Sequence, residues 1–245
     1  MEKFSPDPFF NHEIKVSQPE TGYRFSMDPF ILAAHIQPAG IEKIVDIGCG
    51  CAIMPLILAL RWPGLNIIGV EIQKELSGFA RQNIIDNRLE STIRIIHEDI
   101  NNIRVSDING PAGIIISNPP YIKKDSGRLN PDSQKAIARH EITLDIDMLF
   151  YCSNRLLQTR GRLYVIFPAD RLPDLVLTME RYKYTPDFIR FVHIKKNSAA
   201  KRVILCAMKN SAVKNSDKPC VIHPPFYIYA SENRFSHEYV SMFRS

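Results

Sequence analysis

The chain has 245 residues, 45% hydrophobic and 23% charged, with a formal net charge of +5. That composition can bury one α/β core and excludes the disordered, collagen-like and disulfide-scaffold classes. No apolar run approaches the ~20 residues of a membrane span, and the start, with Glu2 and Asp7, lacks a secretory apolar segment; the expectation is a cytoplasmic protein that is not membrane-bound.

Residues 1–30 are rich in Phe and Pro, and Pro6, Pro8, Pro19 and Pro29 interrupt regular structure. They predict an extended arm running into a helix at 30–36. From Lys43 the pattern changes. Apolar strands at 43–47, 66–70, 93–96, 113–117 and 162–167 alternate with helical stretches at 53–60, 74–87, 142–157 and 172–181. Two further strands follow, at 188–194 and 202–208. The segment between them is too short for a helical crossover, so they are expected to pair as an antiparallel hairpin. The sum is an α/β fold: a Rossmann-like, mostly parallel sheet of seven strands with helices on both faces and a C-terminal antiparallel hairpin. The arm and first helix (1–36) are expected to pack on one domain (37–245). The tail from Ser211 is less regular, with 223–229 as an extended segment on the domain.

The five cysteines, Cys49, Cys51, Cys152, Cys206 and Cys220, are odd in number and irregular in spacing, which argues against a disulfide framework. Cys49 and Cys51 form C-x-C rather than C-x-x-C, and read as small fillers of a tight loop; no metal is expected.

Ligands of open α/β sheets sit beyond the carboxyl ends of the strands. Here those ends carry a polar series. After the first strand comes Asp46-Ile47-Gly48-Cys49-Gly50-Cys51-Ala52, where Gly48 and Gly50 allow a tight turn and close approach. Glu71 ends the second strand, placed to accept from both hydroxyls of a ribose. Ile72 can lie on an adenine face, and Asp99, after the third strand, can accept from an adenine amino group. Asn118 ends the fourth. The third glycine of a dinucleotide fingerprint is absent, because position 53 is Ile. The bland alternative is a set of turn glycines and helix-capping acids. The D-x-G-x-G spacing resembles motif I of class I methyltransferases, with Ala52 where a third glycine often stands. That resemblance implies S-adenosyl-L-methionine as cofactor and adds Asp46 and Asn118 to its binding set.

Asn118-Pro119-Pro120-Tyr121 follows a buried strand directly. A strand-ending turn explains the prolines; it does not require Asn before them and an aromatic after. The chemical reading does. An exocyclic amine is a poor nucleophile while its lone pair is delocalised into a π-system. The Asn118 side-chain oxygen and the Pro119 carbonyl can each accept one N–H and favour a tetrahedral nitrogen. Tyr121 can stack on the planar group and stabilise developing positive charge. In-line transfer then needs mostly positioning, with no metal and no general base. The tetrapeptide resembles motif IV of amino-methyltransferases, a group with adenine, cytosine, guanine and glutamine acceptors, so it defines the chemistry and leaves the acceptor open.

More of the chain carries a narrower resemblance. Gly22-Tyr23-Arg24-Phe25-Ser26-Met27-Asp28, Ser126-Gly127-Arg128-Leu129-Asn130-Pro131, Ala138-Arg139-His140-Glu141, Gly161-Arg162-Leu163-Tyr164, Phe167-Pro168-Ala169-Asp170-Arg171-Leu172 and Arg190-Phe191-Val192-His193 are similar to segments of the tRNA1(Val) (adenine(37)-N6)-methyltransferases. The resemblance runs from about Phe9 to Tyr229, with Ala52 and Pro29 as departures. It implies a single class I domain that methylates the N6 of one adenine in a folded tRNA. It also implies that Phe25 or Asp28 borders the amino-acid end of the cofactor; packing on the first helix is the alternative. Independently of it, Lys123, Lys124, Arg128, Arg139 and His140 form a basic loop after Tyr121, and Lys195, Lys196, Lys201 and Arg202 cluster at the hairpin. Both suit tRNA phosphates, or are simply solvated basic surface. Methylation of a release-factor glutamine is a second reading, disfavoured by the short stretch before the first strand. A non-catalytic cofactor-binding protein is a third. The oligomeric state is open, with a monomer favoured.

Overall fold

A computed structural model describes residues 14–19, 26–38, 42–120, 144–210, 219–232 and 234–243. Its elements in chain order are α1 (Asp28–His35), β1 (Lys43–Ile47), α2 (Ile53–Arg61), β2 (Asn66–Glu71), α3 (Lys74–Asp86), β3 (Ile93–His97), β4 (Ala112–Ser117), α4 (Ile146–Leu156), β5 (Leu157–Pro168), α5 (Leu172–Arg181), β6 (Tyr184–His193), β7 (Ala200–Lys209), β8 (Val221–Ile222), β9 (Phe226–Tyr227), β10 (Tyr229–Ser231), β11 (Arg234–Phe235) and α6 (His237–Ser241).

The main sheet runs β3-β2-β1-β4-β5-β7-β6-β8, with β9 also paired to β6. Strands β1 to β5 are mutually parallel, and β7 is antiparallel to both β5 and β6. The order reverses between β1 and β4, which puts a ligand crevice beyond Ile47 and Ser117. Because β6 runs with β5, the β6–β7 turn lies at this same carboxyl edge.

The alternation of the strands builds two cores. Ile44, Ile67, Ile114, Ile116 and Ile204 face α1, α2 and the C-terminal α6. Val45, Ile68, Ile115, Leu163 and Leu205 face α4 and α5. All ten are buried, each burial contributing ~1.5–3 kcal/mol. The β4 strand, Ala112–Ser117, is buried throughout, as a central parallel strand covered on both faces must be.

Two details depart from expectation. Nine strands, not seven, form the main sheet among the described residues. The tail segment expected to lie on the domain joins the sheet instead. His223, Ile228 and Tyr229 N–H groups donate to Ile189, His193 and Ile194 carbonyls, each at 2.9 Å. That pairing covers the otherwise open edge of β6. And α4 starts at Ile146, later than the apolar spacing suggested. Asp145 is its extended N-cap, accepting from the Met148 N–H at 2.8 Å. Pro29 sits in the first turn of α1, where no intrahelical N–H is lost.

The arm is held by α3. Asn83 and Asn87, one turn apart, grip its backbone on both sides. Asn83 Oδ1 accepts from Ser17 N–H (2.7 Å) and its Nδ2 donates to Ser17 O (2.9 Å). Asn87 does the same with Lys15, at 3.0 and 2.7 Å.

Candidate active site

The loop after β1 depends on left-handed backbone. Gly48 and Gly50 have φ of 72° and 55°. Ala52 follows at φ 65°, ψ 29° as the N-cap of α2. A side chain there costs ~1–2 kcal/mol. Ala52 is fully buried, so its methyl recovers part of that cost.

Three consecutive N–H groups of the turn are committed to β2. Gly48 and Cys49 both donate to Val70 O, at 2.9 and 3.1 Å. Gly50 N–H donates to Glu71 Oε2 at 2.8 Å. A phosphate-binding loop presents these groups to the anion; this one spends them on β2. Cys49 packs tightly over Gly69, where an added Cβ would meet its Sγ at 2.7 Å. Burial pushes the thiols of Cys49 and Cys51 up, Cys51 to about 12, so both stay protonated fillers.

Two carboxylates face this loop. Asp46 is fully buried, and neither oxygen has a hydrogen-bond partner among the described residues. Burial, and then the charge of Glu71, raise its pKa well above the usual range. Glu71 is also buried, and burial raises its pKa against the opposing bonds from Gln73 and Gly50. Its Oε1 accepts from Gln73 N–H at 2.9 Å. Beside it, Ile72 is 38% exposed, a large apolar side chain open at the crevice. Asp99 Oδ1 accepts from the Asn101 backbone (2.9 Å) and side chain (3.1 Å).

Such a pocket repels phosphate and suits a cation. S-adenosylmethionine fits: it has an ammonium and a sulfonium and no phosphate. Asp46 would meet the ammonium, Glu71 the ribose hydroxyls, and Ile72 and Asp99 the adenine.

The reactive segment is tied to the same loop. Ser117 Oγ donates to Ile47 O at 2.8 Å, in a fully buried bond. This fixes the end of β4 against the residue before Gly48, and Asn118 emerges beside the turn. Asn118 is partly buried, Pro119 buried and Pro120 exposed. Tyr121, Lys123, Lys124, Arg128, Arg139, His140 and Phe25 lie outside the described residues.

Two site candidates meet each other. Arg202 Nε donates to Asp28 Oδ2 at 2.8 Å, clamping the start of α1 to the start of β7. The Asp28 carboxylate therefore already carries one guanidinium bond. By contrast, Lys195, Lys196 and Lys201 are exposed at the carboxyl edge, Lys195 in a loose 3.6 Å pair with Glu232.

Sequence reading missed Ser117, Asn83 and Gly69. Asn83 is fully buried and also donates to Cys51 O at 3.0 Å, linking arm, helix and loop. A polar residue closing an apolar strand, Asn at i and i+4, and a glycine inside a strand are the signals that point to them.

Comparison with known proteins bears on the fold and the family. A family model described as methyltransferase small domain matches residues 28–170. A tRNA1(Val) (adenine(37)-N6)-methyltransferase of Porphyromonas gingivalis is 30% identical, over 92% of this chain and 91% of its own. One of Phocaeicola vulgatus is 30% identical over 97% and 96%. Among solved structures, a predicted O-methyltransferase of Agrobacterium tumefaciens superposes with TM-score 0.68 at 17% identity, covering 88% of this chain and 95% of that one. A methyltransferase of Pyrococcus furiosus gives 0.56 at 18%, over 81% and 90%. At those identities the structures speak for the fold. The sequence matches, over more than half of the chain for the family model and nearly all of it for the curated relatives, say more: the chain belongs to the methyltransferase small domain family and, within it, to the tRNA1(Val) (adenine(37)-N6)-methyltransferases.

Proposed function

We propose that this protein transfers a methyl group from S-adenosylmethionine to the N6 amino group of an adenine in tRNA, the one beside the anticodon of a valine tRNA. The observation that carries it is the Ser117–Ile47 bond, which sets the Asn118 segment against the Asp46–Ala52 turn. When bound, S-adenosylmethionine supplies an electrophilic methyl on a sulfonium centre. The residues of the chain do the rest. Asp46 and Glu71 hold cationic and hydroxyl groups, and the committed turn keeps its shape while they do so. Asn118 Oδ1 and the Pro119 carbonyl accept the two N–H bonds of the amine and turn its lone pair out of the ring. Pro119 and Pro120 restrict the backbone, so the acceptors are preorganised. Tyr121 stacks on the base. The proton leaves to solvent once the nitrogen carries the methyl. The arm and α1 (1–36) act as a brace on the single catalytic domain (37–245).

Purified protein with labelled cofactor is expected to methylate unmodified tRNA and yield N6-methyladenosine on nucleoside analysis. Asn118→Ala should lower kcat about 100-fold or more, a larger loss than that in cofactor affinity. No N6-methyladenosine at saturating cofactor, or a fully active Asn118→Ala, overturns the reading.

A further inference from the structure

The C-terminal tail builds a feature at the carboxyl edge that the catalytic residues do not use. After β9 the chain passes Ile194 and folds into the β10–β11 hairpin, which pairs Tyr229 with Phe235. Three rings lie in a near-parallel pile. Tyr229 and Phe235 are stacked at 4.8 Å and 19°, and Phe235 and Tyr239 at 4.7 Å and 20°. The inner end continues edge-on through Phe243 to Phe30, anchoring the pile in the core beneath α1. The outer end, Tyr229, is half-buried, and Phe235 is 40% exposed. Aromatic pairs in proteins settle into offset or edge-to-face geometry. A run of parallel rings, rooted in the core at Tyr239 and reaching the surface at Phe235 and Tyr229, is a surface on which a flat group can add one more layer.

The surrounding charge selects the flat group. Lys195 and Lys196 on the β6–β7 turn, Lys201 at the start of β7 and Arg234 on β11 are all exposed, and Lys195 pairs at 3.6 Å with Glu232 of the tail hairpin. Tyr229 N–H bonds to Ile194 O, so the ring and the lysine turn are backbone neighbours. Cations flanking an exposed ring stack suit a base on the ring and phosphates on the cations. From β4, where Asn118 emerges, to β9 is four strand spacings, ~19 Å. A few unpaired nucleotides bridge that distance.

We infer that Tyr229, at the head of the Tyr229–Phe235–Tyr239 pile, is a stacking platform for an unpaired base of the substrate RNA's loop, with Lys195, Lys196 and Arg234 holding the adjoining phosphates. This deepens the proposed function and rests on its reading of RNA as the substrate. The platform fixes where a nucleotide outside the active site sits, and so orients the strand entering it.

The test uses the full chain and an anticodon stem-loop carrying 2-aminopurine at an unpaired loop position a few nucleotides from the target adenine. Tyr229→Leu preserves apolar packing and removes the aromatic face; Tyr229→Trp preserves the face. Leu is expected to weaken stem-loop affinity about 5- to 100-fold and to abolish the fluorescence quench seen on binding. Trp should restore both. With full-length tRNA the loss should appear in KM, with kcat at saturating tRNA and cofactor affinity unchanged. Because binding and quenching are read without turnover, a failure of methyl transfer does not mask them. Unchanged affinity and quench in Tyr229→Leu overturn the platform. So does an equal loss in Tyr229→Trp, which marks a merely structural ring.

Discussion

Asp46 shows what one residue trades for a cofactor. Its carboxylate is buried with no partner among the described residues, and burial raises its pKa well above its ordinary value of 3.8. The folded protein therefore holds that proton more tightly than the unfolded chain does. By linkage, the contribution to stability is complete below the ordinary carboxylate pKa and is lost as pH rises toward the raised one. At neutral pH Asp46 costs the apo protein stability, and a bound cation offsets that cost. Asp46→Asn should accordingly raise the melting temperature of the cofactor-free protein at pH 7 and flatten its decline with pH. The same change should weaken cofactor binding about tenfold or more, since the amide oxygen left in place of the carboxylate accepts without charge. Thermal denaturation and isothermal titration calorimetry read the two effects; wild-type affinity in Asp46→Asn would remove Asp46 from the site. The places of Asp46, Glu71 and Asp99 in the fold were legible in the sequence because strand ends are legible: Glu71 closes β2, Asp46 stands one residue before the end of β1, and Asp99 two residues after β3. The Asp28–Arg202 pair was not, because its partners are 174 residues apart and only the sheet order brings β7 beside α1. Read singly, each was assigned to a ligand; together they neutralise one another.

Elements are joined by similar long-range contacts, and His35 is the clearest. It lies in the last turn of α1, and both its ring nitrogens are used. Nδ1–H donates to Ile31 O at 2.7 Å, so Nε2 must accept from Arg190 Nη1 at 2.9 Å. Arg190 in turn pairs with Glu238 at 2.6 Å, so one neutral imidazole ties α1 to β6 and α6. Burial is the main reason its pKa falls from 6.5 to about 4, with the Arg190 charge adding to it. The unfolded chain takes up this proton at a higher pH than the folded one. Stability is therefore full above pH 6.5 and is lost as pH falls toward 4, by on the order of 3 kcal/mol. His35→Gln can keep both bonds, with Nε2 donating to Ile31 and Oε1 accepting from Arg190, and it does not titrate. Urea midpoints measured from pH 7 to 4 should fall less steeply in the variant. An identical pH profile would show that His35 does not carry the acid limb. Helix and strand existence was readable from periodicity, and α2, α3 and α5 lie close to where the apolar spacing put them. What periodicity could not supply was the cap that delays α4, because Asp145 interrupts no apolar pattern, or the pairing of β8 and β9, which are too short to repeat.

The whole molecule concentrates its chemistry on one edge. The β1–β4 reversal makes the crevice, the Ser117 bond sets Asn118 beside it, and the β6–β7 turn and the start of β7 carry three exposed lysines on the same side. A net charge of +5 spread evenly would attract RNA weakly. Three of the cations, Lys195, Lys196 and Lys201, stand exposed toward the edge that holds Asn118, where they would act on a strand approaching it. The distinction is measurable, because only charges that replace counterions on phosphate appear in the salt dependence of binding. Replacing Lys195, Lys196 and Lys201 with Ser should reduce the slope of log affinity against log salt for tRNA by about 2, with the melting temperature unchanged. Arg202→Gln should do the reverse, lowering the melting temperature through loss of the Asp28 pair and leaving the slope within about 0.5 of wild type. If the lysine variant keeps the full slope, tRNA phosphates are neutralised elsewhere on the molecule. If Arg202→Gln loses slope as the lysines do, the Asp28 clamp opens when RNA binds and its guanidinium turns outward to a phosphate.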